Sequence, residues 1–395
     1  MKTPYFLIRR PLLDENVAAF RAAFSAAWPN ARLAYSVKTN ALPWLLTYLR
    51  GAGAMAEVVS DEEYDLALLC GYTDREIVFN GPVKGEEHTV RALSRGAVVN
   101  LDARHDLCRL ARCAAPGVGE GMCVGLRVNV PPECFSPDDI GYTEDGFRFG
   151  FSDENGDFAA ALSAVRAAAP RARIGLHLHC NSRTRSVAVY RAIARHAAML
   201  LRKYQIEPAF LDMGGGYFGG VPGKPAAIDY ITAIREELAG AADPEKTTLI
   251  VEPGSAVIGS AVDLCTSVVD VKDTAHARIV TTDGSRVHID PLWARTRYLT
   301  ELHTARENTH PRQIICGYTC MDHDRLTVLE NEKELSVGDR IVYHRVGAYS
   351  MTFGGMFIRP HPAVYAEDGA GGTELVRAPI DMQTYYHIHS VRSDI

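Results

Sequence analysis

The chain has 395 residues, 47% of them hydrophobic and 23% charged, with a formal net charge of −6. That is room for two domains and a large core, and the negative balance offers no footprint for nucleic acid or an anionic membrane. No apolar run is long enough to span a bilayer, residues 1–8 lack the apolar stretch and cleavage site of a signal peptide, and nine cysteines without a framework fit reduced thiols in a cytoplasmic protein.

Short, β-rich apolar runs stand at residues 33–37, 56–59, 77–79, 97–101, 125–130, 174–179, 210–213 and 248–251. Segments with helical apolar spacing lie between them, such as 61–69, which opens on three acids as a helix N-terminus favours, 187–203 and 228–238. Eight strands, hydrophobic on both faces and alternating with helices, predict an α/β fold, a (β/α)8 TIM-like barrel over residues 10–258. After residue 258 the rhythm changes. Runs at 261–272, 278–282, 313–315, 340–343 and 363–365 read as strands separated by turns, with little helix. A second, mostly β domain is expected over 259–395, and residues 1–9 are expected to join it.

Chemistry in such a barrel gathers at the C-terminal ends of the strands. The first run ends in Tyr35-Ser36-Val37-Lys38-Thr39-Asn40, which places Lys38 where partial desolvation would make its amine a usable nucleophile toward an aldehyde. A lone lysine there is more often a surface charge, so the case rests on its company. Glu57 and Ser60 end the second run, Asn80-Gly81 the third, and Arg127 stands on the fifth. His177-Leu178-His179-Cys180-Asn181-Ser182 ends the sixth, Asp212-Met213-Gly214-Gly215-Gly216 the seventh and Glu252-Pro253-Gly254-Ser255 the eighth.

Three glycines after a strand let backbone N–H groups approach an anion, or simply make a turn. His177 and His179, two apart on a strand, would face the same way and with Cys180 and a carboxylate invite a zinc reading. One imidazole could instead lie flat against an aromatic cofactor. A buried Glu252 would be costly unless paired, and a protonated heterocyclic nitrogen would pair it. An amine for an aldehyde, glycines for a phosphate, a stacking imidazole and a carboxylate for a pyridinium are together what pyridoxal 5′-phosphate (PLP) requires.

Over nearly its whole length the chain resembles the fold-type III PLP-dependent decarboxylases, which include ornithine, diaminopimelate and carboxynorspermidine decarboxylases and share an alanine racemase-like fold. Tyr35-Ser36-Val37-Lys38-Thr39-Asn40 resembles the family's cofactor-lysine motif, with Lys38 as the attachment point. The resemblance implies that His179 stacks on the ring and that Ser182, Gly214, Gly215, Gly216, Gly254 and Ser255 surround the phosphate. It also implies that Glu252 holds the pyridine nitrogen, with Glu57 and Arg127 tuning the polar edge; each of these two could equally be a barrel-interior ion pair. In the second domain Cys316-Gly317-Tyr318-Thr319-Cys320-Met321-Asp322-His323-Asp324 is similar to the segment whose cysteine reaches the partner subunit's site, so Cys320 is the expected proton donor. Gly347-Ala348-Tyr349 is similar to the segment whose tyrosine contacts the phosphate. A homodimer with shared sites is implied.

The departures fall on substrate recognition. Many family members place an arginine directly after Glu-Pro-Gly, which in diaminopimelate decarboxylases helps hold the distal carboxylate; this chain has Ser255. The family's acid after the active-site cysteine is here Met321. An unpaired buried polar substrate end costs a few kcal/mol, so neither diaminopimelate nor ornithine is assigned. Asp322, Asp324, Arg295 and Arg297 are candidate substitutes for contacting the substrate's distal group. Glu252 favours decarboxylation by keeping the ring nitrogen protonated; a PLP racemase on the same fold and a metal-dependent barrel hydrolase using His177 and His179 are the alternatives.

Overall fold

Eight parallel strands form a closed barrel: Ala31–Ser36, Met55–Val58, Ile77–Phe79, Val98–Leu101, Cys123–Asn129, Arg173–His177, Phe210–Asp212 and Thr248–Val251. Each pairs with the next, and Thr248–Val251 returns to Ala31–Ser36 to close the ring. This computed structural model describes residues 1–113, 121–141, 146–295 and 297–390. The barrel belongs to a unit of residues 15–257, and residues 1–14 with 258–395 make a second unit. Among the described residues, no helix is long and apolar enough to cross a membrane.

The barrel interior is layered. Ala34, Val78, Val98, Cys123, Phe210 and Ile250 form one apolar cluster, with Met55 packed against it. The Phe210 ring occupies the space left by Gly175, where an added Cβ would come within 2.6 Å of it. Side chains on a strand alternate, so residues two further along point the same way, one layer nearer the C-terminal ends. In order around the barrel these are Ser36, Glu57, Asn80, Asn100, His177, Asp212 and Glu252, while on the fifth strand Gly125 holds that level and Arg127 stands two residues above it; all seven side chains and Arg127 are buried. An apolar floor therefore carries a wholly polar ceiling.

The second unit is a sheet in which Val262–Asp273 is central, pairing antiparallel with Tyr5–Ile8, Arg278–Thr282 and Arg340–His344. Tyr5–Ile8 is also flanked in parallel by Ala363–Glu367, so it is an interior strand with Phe6 and Ile8 fully buried. Three strands had no apolar signal in the sequence: Leu299–His303, Arg325–Lys333 and Thr373–Arg377. Exposed residues dominate all three, so the alternation that marks a half-buried strand is weak or missing in each.

Candidate active site

Lys38 lies on a single 3-10 turn, Val37–Thr39, directly after its strand. Asn40 closes the turn by donating its N–H to the Val37 carbonyl at 3.0 Å. The expected desolvation of Lys38 is not what the structure shows. Its side chain is 42% exposed, and its Nζ lies 2.8 Å from Glu57 Oε2, so the ammonium is held by an ion pair. Glu57 itself is 1% exposed and also accepts from Ser36 Oγ at 2.5 Å and Asn80 Nδ2 at 2.9 Å. Burial is the largest influence on this carboxyl and pushes its pKa up. The Lys38 charge and the three hydrogen bonds outweigh burial, and the net shift is down.

Asn80 joins Glu57 to the far side of the barrel. Its Nδ2 also donates to Glu252 Oε1 at 2.6 Å, while Asn100 Nδ2 donates to Asn80 Oδ1 at 2.7 Å and to Asp212 Oδ2 at 2.8 Å. A continuous network thus runs from the Lys38 amine through Glu57 and Asn80 to Glu252, with Asn100 and Asp212 behind it. Burial raises the Asp212 carboxyl to about 6 and raises Glu252 well above the ordinary carboxyl range, helped there by the charges of Asp212 and Glu57. His177 Nε2 lies 3.8 Å from Glu252 Oε2, and both His177 ring nitrogens are buried without a hydrogen-bond partner. The ligand-type atoms of His177, Asp212 and Glu252 lie within 4.8 Å of one another. This trio is not the His177, His179 and Cys180 set that the metal reading needs.

His177 and His179 do not share a strand face. The ladder ends at His177, and His179 sits in the following loop, where its Nδ1 accepts the Gly215 N–H at 3.3 Å. The neutral ring therefore carries its proton on Nε2. Burial, with the Arg127 and Lys38 charges, lowers its pKa to about 3, so it stays neutral at physiological pH. Gly214 and Gly216 have φ of +62° and +97°, and a Cβ on Gly214 would stand 2.6 Å from His179. Only glycine permits both that backbone conformation and that approach. Glu252 N–H donates to the Gly214 carbonyl at 2.8 Å, fixing the glycine run against the Glu252-Pro253-Gly254 turn.

Arg127 is buried, 3.8 Å from Asp102, with its guanidinium 4.3 Å from the Phe149 ring centre. Beside it and His179 opens a cavity of about 460 Å³ walled by Val128, Phe147 and Phe149. Ser182 Oγ donates to the Asp139 carbonyl and accepts the Arg185 N–H at 2.9 Å.

The second unit carries the remaining expected residues. Cys320 and Asp322 are exposed and Met321 is half-buried on one loop; Tyr349 is 37% exposed with φ +52°. Asp324 requires a correction. It is 2% exposed and accepts from Ser285 Oγ, Arg286 N, Thr319 N and Thr319 Oγ1. Its carboxylate is fully used in tying the Cys320 loop to the segment at Ser285, so it has no capacity left for a substrate. The Arg295 guanidinium donates to the Arg345 carbonyl at 3.3 Å, and Arg297 is exposed. Sequence reading placed Asn80 and Asp212 at strand ends without giving them a role, and missed Asn100 altogether. Each stands two positions beyond an apolar floor residue, and that spacing was the available signal.

The helix Asp61–Leu69 braces Glu57. Ser60 Oγ accepts the Glu63 N–H at 3.2 Å and Glu63 Oε2 accepts the Val59 N–H at 2.8 Å, a cap that locks the helix to the strand end. Burial raises the Glu63 carboxyl to about 7, the Val59 N–H opposing and the Glu57 charge adding. A carboxyl raised in the fold contributes stability that is complete below its unfolded pKa, about 4.3, and lost as pH rises through about 7. Glu63→Gln keeps an acceptor for Val59 without this term. Its stability relative to the parent should rise by on the order of 2 kcal/mol between pH 4 and pH 8, read as a widening gap in Tm of the cofactor-free proteins. A gap independent of pH would refute the shift.

The donor set fits PLP. The polar ceiling holds more carboxylate than its cations balance, unpartnered imidazole nitrogens beside Glu252, a neutral imidazole packed on glycines and an amine at the rim. A cationic ring nitrogen at Glu252 would relieve the carboxylate crowding, and in the glycine run, where Gly214 and Gly215 give their N–H groups to Asp212 and His179, the Gly216 N–H is the one left for a phosphate.

Comparison with known proteins agrees. The model of the pyridoxal-dependent decarboxylases, pyridoxal binding domain, matches residues 13–259. Diaminopimelate decarboxylase of Archaeoglobus fulgidus is 27% identical over 90% of this chain and 85% of its own length. Diaminopimelate decarboxylase from Helicobacter pylori, solved with L-lysine, superposes with a TM-score of 0.83 at 21% identity, covering 98% of this chain and 97% of that one. Lysine/ornithine decarboxylase from Vibrio vulnificus, solved with putrescine, gives 0.74 at 20% identity, covering 93% and 94%. These two show the shared fold, and the family match carries the chemistry: the chain belongs to the pyridoxal-dependent decarboxylases, PLP-using carboxy-lyases.

Proposed function

We propose that this decarboxylase acts on an amino acid, or an amino-acid-derived intermediate, whose distal group is not held in the diaminopimelate or ornithine manner. The observation that carries the reading is the Lys38–Glu57–Asn80–Glu252 network at the C-terminal face of the barrel. PLP, when bound, supplies an aldehyde that condenses with amino groups and a ring that accepts the electron pair left as the carboxyl group departs as CO2.

The chain's own residues do the rest. Lys38 is the attachment amine, and Glu57 orients it and takes up its charge. Glu252 would hold a proton at the ring nitrogen, His179 would pack on the ring face, and Arg127 would border the ring's polar edge. Gly214, Gly215, Gly216, Gly254, Ser182, Ser255 and Tyr349 seat the phosphate. Cys320 returns a proton to the α-carbon. Met321, Asp322, Arg295 and Arg297 border the distal group. Cys320, Asp322 and Tyr349 are exposed in the second unit, as are the apolar Phe353, Phe357 and Ile358, which supports a homodimer in which each β unit completes the partner's site. The nine free cysteines support a cytoplasmic setting. The apolar-walled cavity beside His179 has Arg148 in its lining, which supports a bulky or anionic distal end.

The test is a CO2-release screen of the PLP-loaded protein over basic, acidic and conjugated amino acids. At least one conjugated or acidic substrate should release CO2 faster than diaminopimelate or ornithine, and Ser255→Arg with Met321→Asp should improve those two. Inversion of a chiral amino acid without CO2 release would overturn the assignment.

A further inference from the structure

We propose that Arg185 is the guanidinium that binds the phosphate of the cofactor, delivered to the loop of Ser255 from the loop after Arg173–His177. The assignment rests on the PLP reading above and adds a residue that no motif marks. Position 255 is a serine, and Arg185 Nη1 donates to Ser255 Oγ at 3.2 Å. The loop after Arg173–His177 thus brings a positive charge to the loop after Thr248–Val251.

The arginine is aimed by its backbone. Its N–H is held by Ser182 Oγ at 2.9 Å and its carbonyl by Tyr230 Oη at 2.7 Å. Between those anchors its φ is +52°, a conformation that costs a non-glycine residue about 1 kcal/mol and persists where surroundings fix it. The guanidinium lies 5.5 Å from the centre of the Phe218 ring, two residues past Gly216. Tyr230 Oη also accepts the Phe218 N–H at 3.4 Å, and Tyr190 Oη donates to the Gly215 carbonyl at 2.9 Å, so the glycine run and Arg185 share one aromatic support. Among the described residues, no carboxylate lies within ion-pair distance of Arg185. A cation without a counter-charge, held beside Ser255 and over the Phe218 ring that follows the glycine run, matches an oxyanion of charge −2, and guanidinium is the side chain suited to bind it with two parallel hydrogen bonds.

The experiment compares PLP with pyridoxal, which lacks the phosphate, by equilibrium titration of the cofactor-free protein followed by absorbance. The parent should bind PLP far more tightly than pyridoxal. Arg185→Gln should weaken PLP about 10- to 100-fold, the worth of charge-assisted hydrogen bonds, and leave pyridoxal unchanged. Adding Ser255→Arg to Arg185→Gln should recover most of the loss. Unchanged PLP affinity, with or without a raised KM for an acidic substrate, would overturn the proposal. So would equal weakening of PLP and pyridoxal, which marks a purely structural role. A parent that does not distinguish PLP from pyridoxal would instead overturn the PLP reading, and this assignment with it.

Discussion

Lys38→Ala should leave a folded protein that no longer attaches its cofactor and has lost at least about 10³-fold in kcat/KM for CO2 release. Among the described residues, no neighbouring amine can stand in. Lys84 is fully buried, 3.0 Å from Asp106 and donating to the Gly81 carbonyl, so its Nζ is committed elsewhere. Reduction with borohydride followed by peptide mass analysis should find the cofactor on Lys38 of the parent and on no residue of the variant. The substitution also strips Glu57 of its counter-ion. Ser36 and Asn80 still donate to it, and Lys38 is itself partly exposed, so the loss of stability should be about 1–3 kcal/mol, less than for a fully enclosed pair. Lys38→Arg keeps the charge beside Glu57 without a condensing amine, and should retain stability while remaining unable to attach the cofactor. Attachment surviving in Lys38→Ala would remove the central residue of the site.

The barrel was legible because its strands are buried on both faces and read as continuous apolar runs. The edge strands of the second unit were not. Arg325–Lys333 carries four charges, and its pairing with Thr309–Cys316 is made by backbone groups that leave no mark on composition. Motif residues such as Lys38, Gly214 and Glu252 were visible because each stands beside a turn of distinctive chemistry. Asn100 was invisible by that route: it lies inside Val98–Leu101 with no motif, and its role exists only through Asn80 and Asp212, 20 and 112 residues away in the chain. Asp324 was misread for the opposite reason. It aligns with a functional segment, but burial and four donors turn its carboxylate into a structural tie, and sequence spacing says nothing of that saturation.

Glu252→Gln should separate catalysis from stability by moving them in opposite directions. Glutamine keeps an acceptor for Asn80 Nδ2 and can donate to Asp212, so the network is preserved in shape. What disappears is the negative charge proposed to hold a proton at the ring nitrogen, and CO2 release should fall by about 10²- to 10³-fold. Stability of the cofactor-free protein should change the other way. Glu252 titrates well above an ordinary carboxyl because burial and the charges of Asp212 and Glu57 oppose its ionisation. Its contribution is therefore complete below an unfolded pKa of about 4.3 and lost as pH rises through its raised folded value, so the amide should gain over the parent toward alkaline pH. The expected signature is a higher Tm at pH 8 than the parent, retained PLP affinity and a collapsed kcat. A carboxylate kept only for packing would lose stability on substitution and leave kcat nearly intact, and that outcome would sever Glu252 from the chemistry. The fold tolerates three crowded carboxylates at Glu57, Asp212 and Glu252 because the bound cofactor brings the cation they lack, so the destabilised ceiling of the empty barrel is the same feature that makes it a binding site.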